Sequence, residues 1–202
     1  RQSVVEAGKR LFQKNLVQGT WGNISIRIDD QNMLITPSGL DYMSLKPEDM
    51  VKMNYYTMDY LGNLKPSGEK DIHATLMRER KDISVIMHSH PPECSAFAAA
   101  DYALPAINEE MQRYVKGEAR VAAYALPSTK SLAKTTVIAM EGRNACFMAN
   151  HGMLAVGKDI EEAFECCRVL EDCAKTYIDN LAKEEGVSNR ISFFKKKMDK
   201  TN

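Results

Sequence analysis

The sequence predicts a mixed α/β fold: a sheet covered by helices. Three observations carry that expectation. Short β-branched or alternating runs recur between turns rich in glycine, proline and asparagine. Stretches with helical spacing lie between them. The 202 residues are 44% hydrophobic, which suits one domain over residues 1–202 with a substantial core. No internal repeat or low-complexity linker divides the chain.

The elements follow in order. Residues 3–18 read as an opening helix, because Val4, Ala7, Leu11 and Val17 fall near helical spacing and Gly19 offers a stop. Thr20-Trp21-Gly22-Asn23 reads as a turn, and Ile24-Ser25-Ile26-Arg27-Ile28 as a cleanly alternating strand. Asp29 to Asn32 turns the chain into Met33-Leu34-Ile35-Thr36, which completes a hairpin. Residues 45–49 predict a short helical turn, residues 50–53 a strand and residues 59–63 a turn containing Gly62. Lys65-Pro66-Ser67-Gly68 is a further turn. Glu69 then opens a helix to about residue 80, with Pro66 and Ser67 at its entry and Glu69 and Asp71 in its first turn.

Ile83-Ser84-Val85-Ile86-Met87-His88-Ser89-His90-Pro91 is an apolar strand ending in two histidines. Residues 92–100 read as an alanine-rich helix, 104–107 as a short apolar segment, 121–124 as a strand and 131–140 as a helix. Residues 145–151 predict a strand ending in His151, and 153–156 continue as a strand to the turn at Gly157. The longest helix runs from residue 160 to about 183, with Ala163, Cys167, Leu170, Ala174 and Ile178 on one face. From about residue 190 the chain is basic, with Lys195-Lys196-Lys197, and is expected to form a solvated, mobile tail.

Composition excludes several classes. With 27 basic and 27 acidic residues the formal net charge is zero, so bulk charge argues against a nucleic-acid partner. No apolar run approaches the roughly 20 residues of a membrane helix, and no signal-peptide apolar core is expected at the N-terminus. Five cysteines without a C-x-x-C spacing predict a reduced, cytoplasmic protein and no disulfide framework.

Chemistry concentrates at the histidines, of which the chain has four. Residues i and i+2 of a strand share a face, so His88 and His90 present their imidazoles side by side. Two such rings are half of a tetrahedral zinc site. The search for the remaining ligands covers His73, His151 and nearby acids. Glu69 and His151 complete a candidate set with His88 and His90, His151 emerging after a buried-looking strand. His73, four residues after Glu69, reads as a core or supporting histidine. Three turns carry Gly22 and Asn23, Ser38 and Gly39, and Ser67 and Gly68. Their backbone N–H groups and hydroxyls can cradle a phosphate, and the last opens a helix.

These residues resemble a family, the class II aldolases of the fuculose-phosphate aldolase type, which also contains ribulose-phosphate 4-epimerases and the adducin head domain. The resemblance spans roughly residues 4–183. Gly22-Asn23-Ile24-Ser25, Ile35-Thr36-Pro37-Ser38-Gly39, Lys65-Pro66-Ser67-Gly68-Glu69, His88-Ser89-His90-Pro91 and Asn150-His151-Gly152 stand in the family's order. It implies a three-layer α/β/α fold with a central, mainly antiparallel mixed sheet, and a homotetramer with sites between subunits. It implies zinc, one ion per subunit, on His88, His90, His151 and Glu69, with Glu69 also the acid/base. It implies a substrate phosphate held by Gly22, Asn23, Ser38, Gly39, Ser67 and Gly68. The activity implied is retro-aldol cleavage of a ketose 1-phosphate to dihydroxyacetone phosphate and an aldehyde. The alternatives it carries are a ribulose-5-phosphate 4-epimerase, a methylthioribulose-phosphate dehydratase and a non-catalytic adducin-like assembly module.

Two positions depart from that pattern. The aldolases often carry two serines before the glutamate, and the second is Gly68 here. Fuculose-phosphate aldolase places a proton-donating tyrosine after a Pro-Ala-Ile segment. Here Pro105-Ala106-Ile107-Asn108 leads into Glu109, with Tyr114 and Tyr124 the nearest tyrosines. Relatives with epimerase activity usually have aspartate where this chain has Glu69, which favours the aldolase.

Overall fold

The computed structural model describes residues 1–198. Among these, seven α-helices flank an eight-stranded sheet. The N-terminal helix α1 covers Gln2–Gln13 and ends five residues short of the expected end at residue 18, just before Asn15 adopts a left-handed backbone. Strands β1 (Asn23–Arg27) and β2 (Asn32–Ile35) form the expected antiparallel hairpin. A single turn of 3-10 helix at Pro47–Asp49 precedes β3 (Val51–Asn54). The region read as a plain turn contributes a two-residue edge strand, β4 (Tyr60–Leu61).

Helix α2 (Lys70–Glu79) follows, then the histidine strand β5 (Val85–Ser89) and α3 (Pro92–Ala100). Helix α4 (Glu109–Tyr114) was not legible from periodicity, being six residues long; Asn108 caps it by accepting from the Met111 N–H at 2.7 Å. Then come β6 (Val121–Ala122), α5 (Lys130–Ala139), β7 (Ala145–Met148), β8 (Gly152–Gly157) and the long α6 (Ile160–Glu184).

The sheet order is β4-β3-β2-β1-β5-β8-β7-β6. Every neighbouring pair is antiparallel except β6 with β7. Its two faces carry separate apolar clusters. One joins α1, α3, α4 and α6 to Val85, Met87 and Phe147; the other joins α2 and α5 to Ile86, Cys146 and Leu154. Successive β5 residues thus alternate between the two layers.

Two expectations need correction. Residues 145–156 are not one continuing strand. Asn150 takes a left-handed backbone, the chain reverses, and Met148 pairs with Gly152. His151 therefore sits on a hairpin turn. Nor is the basic stretch after residue 190 a solvated tail through residue 198. Arg190–Met198 form a helix, α7, whose Phe194 is fully buried. The lysines stay outward while Phe194 packs tilted against Phe97 and edge-on to Tyr102 and Tyr177. The last four residues of that expected tail lie outside the described ones.

The five cysteines are buried and unpaired. No helix among the described residues is long and apolar enough to cross a membrane.

Candidate active site

The site forms where β1, β5, the β7–β8 turn and the start of α2 converge. Glu69 occupies the position just before α2, and its N–H donates to Ser67 Oγ at 3.2 Å. A carboxylate there meets the positive end of the helix dipole. The far end of α2 is held by Arg27, whose guanidinium donates to the carbonyls of Met77 (2.8 Å) and Arg80 (2.9 Å).

Strand β1 turns its polar face towards this helix. Asn23 Nδ2 donates to Glu69 Oε2 at 2.9 Å, Ser25 Oγ lies 2.6 Å from His73 Nδ1, and Arg27 reaches the helix end. Two strand residues rise roughly 6.6 Å and four helix residues about 6 Å, so a polar residue at every second strand position meets every fourth helix position.

The three candidate ligand histidines converge as expected. Ring centroids lie 4.4 Å apart for His88 and His90, 4.8 Å for His88 and His151, and 5.4 Å for His90 and His151. One ligand atom from each lies within 4.8 Å of the others, a group that could hold a metal ion. The rings of His88 and His90 are not parallel but cross at 74°, because His90 lies one residue beyond the end of β5.

The protonation pattern decides what this group can do. His88 Nδ1 lies 2.7 Å from the Met153 carbonyl, which only accepts, so Nδ1 carries the proton. In the neutral ring Nε2 is then a lone pair. It lies 3.1 Å from Glu69 Oε2 without making a hydrogen bond. Burial lowers the His88 pKa, outweighing the attraction of Glu69, so protonation of Nε2 is disfavoured. Burial, with the neighbouring rings, likewise pushes His90 down to about 3. For Glu69, burial raises the carboxyl pKa, but His88, His151 and Asn23 together hold it well below the usual range. Glu69 Oε1, 3.0 Å from His151 Nε2, and His88 Nε2 are both buried without a hydrogen-bond partner. A carboxylate oxygen facing the His88 lone pair at 3.1 Å fits a donor set that shares a cation.

The turns lie beside this group, lining a cavity of about 410 Å³ with Gly22, Asn23, Ser38, Gly39, Ser67, Glu69, His90 and His151. That volume falls within the roughly 300–1,000 Å³ of small-molecule sites. The two serine turns are stitched together: Ser38 N–H donates to the Lys65 carbonyl and Ser67 N–H to the Thr36 carbonyl, both at 3.0 Å. The N–H groups of Gly39 and Gly68 make no hydrogen bond among the described residues. Gly22 passes over β5 with φ +99°, and a Cβ on it would stand 2.6 Å from the His88 carbonyl oxygen. A Cβ at Gly68 would stand 2.8 Å from Ser128 Oγ, so a serine there requires Ser128 to move.

Comparison with known proteins places the chain in a family. Residues 2–178 match the family described as Class II Aldolase and Adducin N-terminal domain. The chain belongs to that family. It is 36% identical over 178 residues to the 5-deoxy-D-ribulose 1-phosphate aldolase of Bacillus thuringiensis serovar kurstaki, covering 88% of this chain and 83% of the relative. It is 33% identical to the 5-methylthioribulose-1-phosphate/5-deoxyribulose-1-phosphate aldolase of Rhodospirillum rubrum, covering 88% and 79%. A solved structure described as L-fuculose 1-phosphate aldolase superposes with a TM-score of 0.85 at 35% identity, covering 98% of this chain and 95% of that one. The three-layer α/β/α arrangement is the fold of these class II aldolases.

Within this class II aldolase chain, sequence reasoning missed Trp21, Pro127 and Asn150, which also line the cavity. Trp21 is 65% exposed and meets His90 edge-on at 6.0 Å. Its being the sole tryptophan, beside a glycine turn, was the available signal. Asn23, read as a phosphate holder, has both ends of its side-chain amide engaged, on Glu69 and on His73. His73 is fully buried, is not a member of the histidine group, and reaches Glu69 through the Asn23 amide. None of Glu109, Tyr114 and Tyr124 lines the cavity; Glu109 faces a separate hollow beside Ala106 and Arg113.

Proposed function

We propose that this chain is a zinc-dependent class II aldolase that cleaves a ketose 1-phosphate to dihydroxyacetone phosphate and an aldehyde. The observation that carries the reading is the His88 Nε2 lone pair 3.1 Å from the Glu69 carboxylate, beside two further imidazoles and a cavity lined by Gly22, Ser38, Gly39 and Ser67. His88, His90, His151 and Glu69 would hold one zinc ion per subunit, and neutral imidazoles are what such an ion requires. Bound there, zinc supplies a Lewis acid for the negative charge that a retro-aldol cleavage leaves beside the carbonyl.

The chain's own residues do the rest. The unpaired N–H groups of Gly39 and Gly68 and the hydroxyls of Ser38 and Ser67 bind the phosphate, with Gly22 giving close backbone approach. Glu69 moves the proton: Oε2 is committed to Asn23, and Oε1 is free to take it. The relatives named for 5-deoxyribulose 1-phosphate support a 5-deoxypentulose or fuculose-like phosphate as substrate. We read residues 1–202 as one domain of a cytoplasmic homotetramer with sites at subunit interfaces, a reading supported by exposed Trp21, Tyr124 and Leu126 around the cavity residue Pro127.

A panel of ketose 1-phosphates and pentulose 5-phosphates, assayed for triose release, tests the reaction. Dihydroxyacetone phosphate from a ketose 1-phosphate is expected. Epimerised pentulose without triose would replace the aldolase by an epimerase, and no turnover by a metal-free, stable tetramer would favour the assembly module. Glu69→Gln is expected to keep much of the zinc and lose turnover; unchanged turnover would remove Glu69 from the reaction.

A further inference from the structure

The polar face of β1 and the facing side of α2 form a buried chain that ends on Glu69. Ser25 and His73 are both fully buried, and Asn23 is 4% exposed. Ser25 Oγ lies 2.6 Å from His73 Nδ1, His73 Nε2 meets Asn23 Oδ1, and Asn23 Nδ2 lies 2.9 Å from Glu69 Oε2. Directions along the chain follow from the groups. The Asn23 amide NH₂ only donates, so Glu69 Oε2 receives from it. Asn23 Oδ1 then accepts, so His73 Nε2 carries a proton. A neutral ring leaves Nδ1 to accept from the Ser25 hydroxyl. Burial pushes His73 down to about 3, so the ring is neutral at physiological pH. Each of the three contacts pairs one donor with one acceptor, and an amide flip at Asn23 would place NH₂ against N–H and oxygen against carboxylate.

We propose that His73 and Ser25 are positioning residues: they fix the Asn23 amide, which holds Oε2 of Glu69 in place and leaves Oε1 as the oxygen that moves the proton. The proposal rests on the aldolase reading for its kinetic consequence, though its geometric part stands alone. His73 is neither among the cavity-lining residues nor a member of the histidine group, and its hydrogen bonds run to Ser25 and Asn23. Its hydrogen-bonded route to Glu69 passes through Asn23. An amide held this way acts on the proton-transfer step, so its loss lowers kcat and kcat/KM together and leaves KM nearly unchanged.

Two measurements test it. In metal-free protein labelled with ¹⁵N-histidine, the His73 ring, assigned by its disappearance in His73→Leu or, if that variant does not fold, in His73→Gln, is expected as the neutral Nε2–H tautomer. An Nδ1–H tautomer would overturn the proposal. This arm needs no turnover, so it separates failure of the inference from failure of the aldolase reading. In metal-replete protein, His73→Leu is expected to lower kcat by about ten- to a hundredfold with KM within about threefold of wild type, and His73→Gln, which keeps a donor and an acceptor, to recover part of the loss. A folded His73→Leu that carries its metal and keeps kcat would overturn the proposal, as would equal losses in the two variants. If His73→Leu does not fold, Ser25→Ala decides: a fall in kcat at constant KM supports the chain, and unchanged kcat overturns it.

Discussion

At single residues, the site depends on what is absent as much as on what is present. A Cβ on Gly152 would stand 2.6 Å from His90 Cδ2 and 2.7 Å from the Ser89 carbonyl oxygen. The second obstacle is strand backbone and cannot swing aside. Gly152→Ala is therefore expected to push His90 out of the ligand group and weaken zinc binding, which calorimetric titration measures. Gly39 is different. It has open space around it but φ +77°, so Gly39→Ala should cost about 1–2 kcal/mol of stability and leave zinc affinity unchanged. The candidate ligand histidines were legible because residue type, spacing and the family resemblance declare them. The role of Asn23 was not. Its two partners lie 46 and 50 positions away, and only the register of β1 against α2 brings them together.

Among the elements, α7 and the start of α3 are tied together by charged side chains. Glu171 on α6 accepts from the N–H groups of Glu93 (3.1 Å) and Cys94 (2.9 Å), closing the first turn of α3 just after His90. Glu93 in turn binds Arg190 of α7, which also meets Asp179. Phe194→Ala, in the middle of α7, should cost about 3–5 kcal/mol, seen as a lower denaturation midpoint. Burial beside Glu93 pushes the Glu171 carboxyl from its ordinary 4.5 up to about 8. Below the lower value both folded and unfolded chains hold that proton, and the stabilisation is full. Between the two values only the folded chain holds it, so stability falls as pH rises through the window. Glu171→Gln is expected to flatten that slope, as urea melts at about pH 5 and about pH 8.5 would record. A slope unchanged by the substitution would assign it to other groups. Long or strongly alternating elements were readable in advance. The reversal at Asn150 and the six-residue α4 were not, since neither spans enough residues to show a period. The lysine run of α7 masked the burial of Phe194.

For the molecule as a whole, the sheet brings distant chain segments to one place. Strand β5 lies centrally, with β1 and β8 as its neighbours, and so places residues 23, 88 and 154 side by side. Short β-branched runs between turns announced such a sheet, but strand order is a long-range property that no local pattern encodes. The family resemblance supplied what periodicity could not. The central claim is that three imidazoles and Glu69 hold one zinc ion, and equilibrium dialysis against zinc tests it most directly. About one ion per chain is expected for the wild type, with binding sharply weakened in each of His88→Ala, His90→Ala and His151→Ala. A wild type that binds none, or variants that bind as tightly as the wild type, would contradict the account.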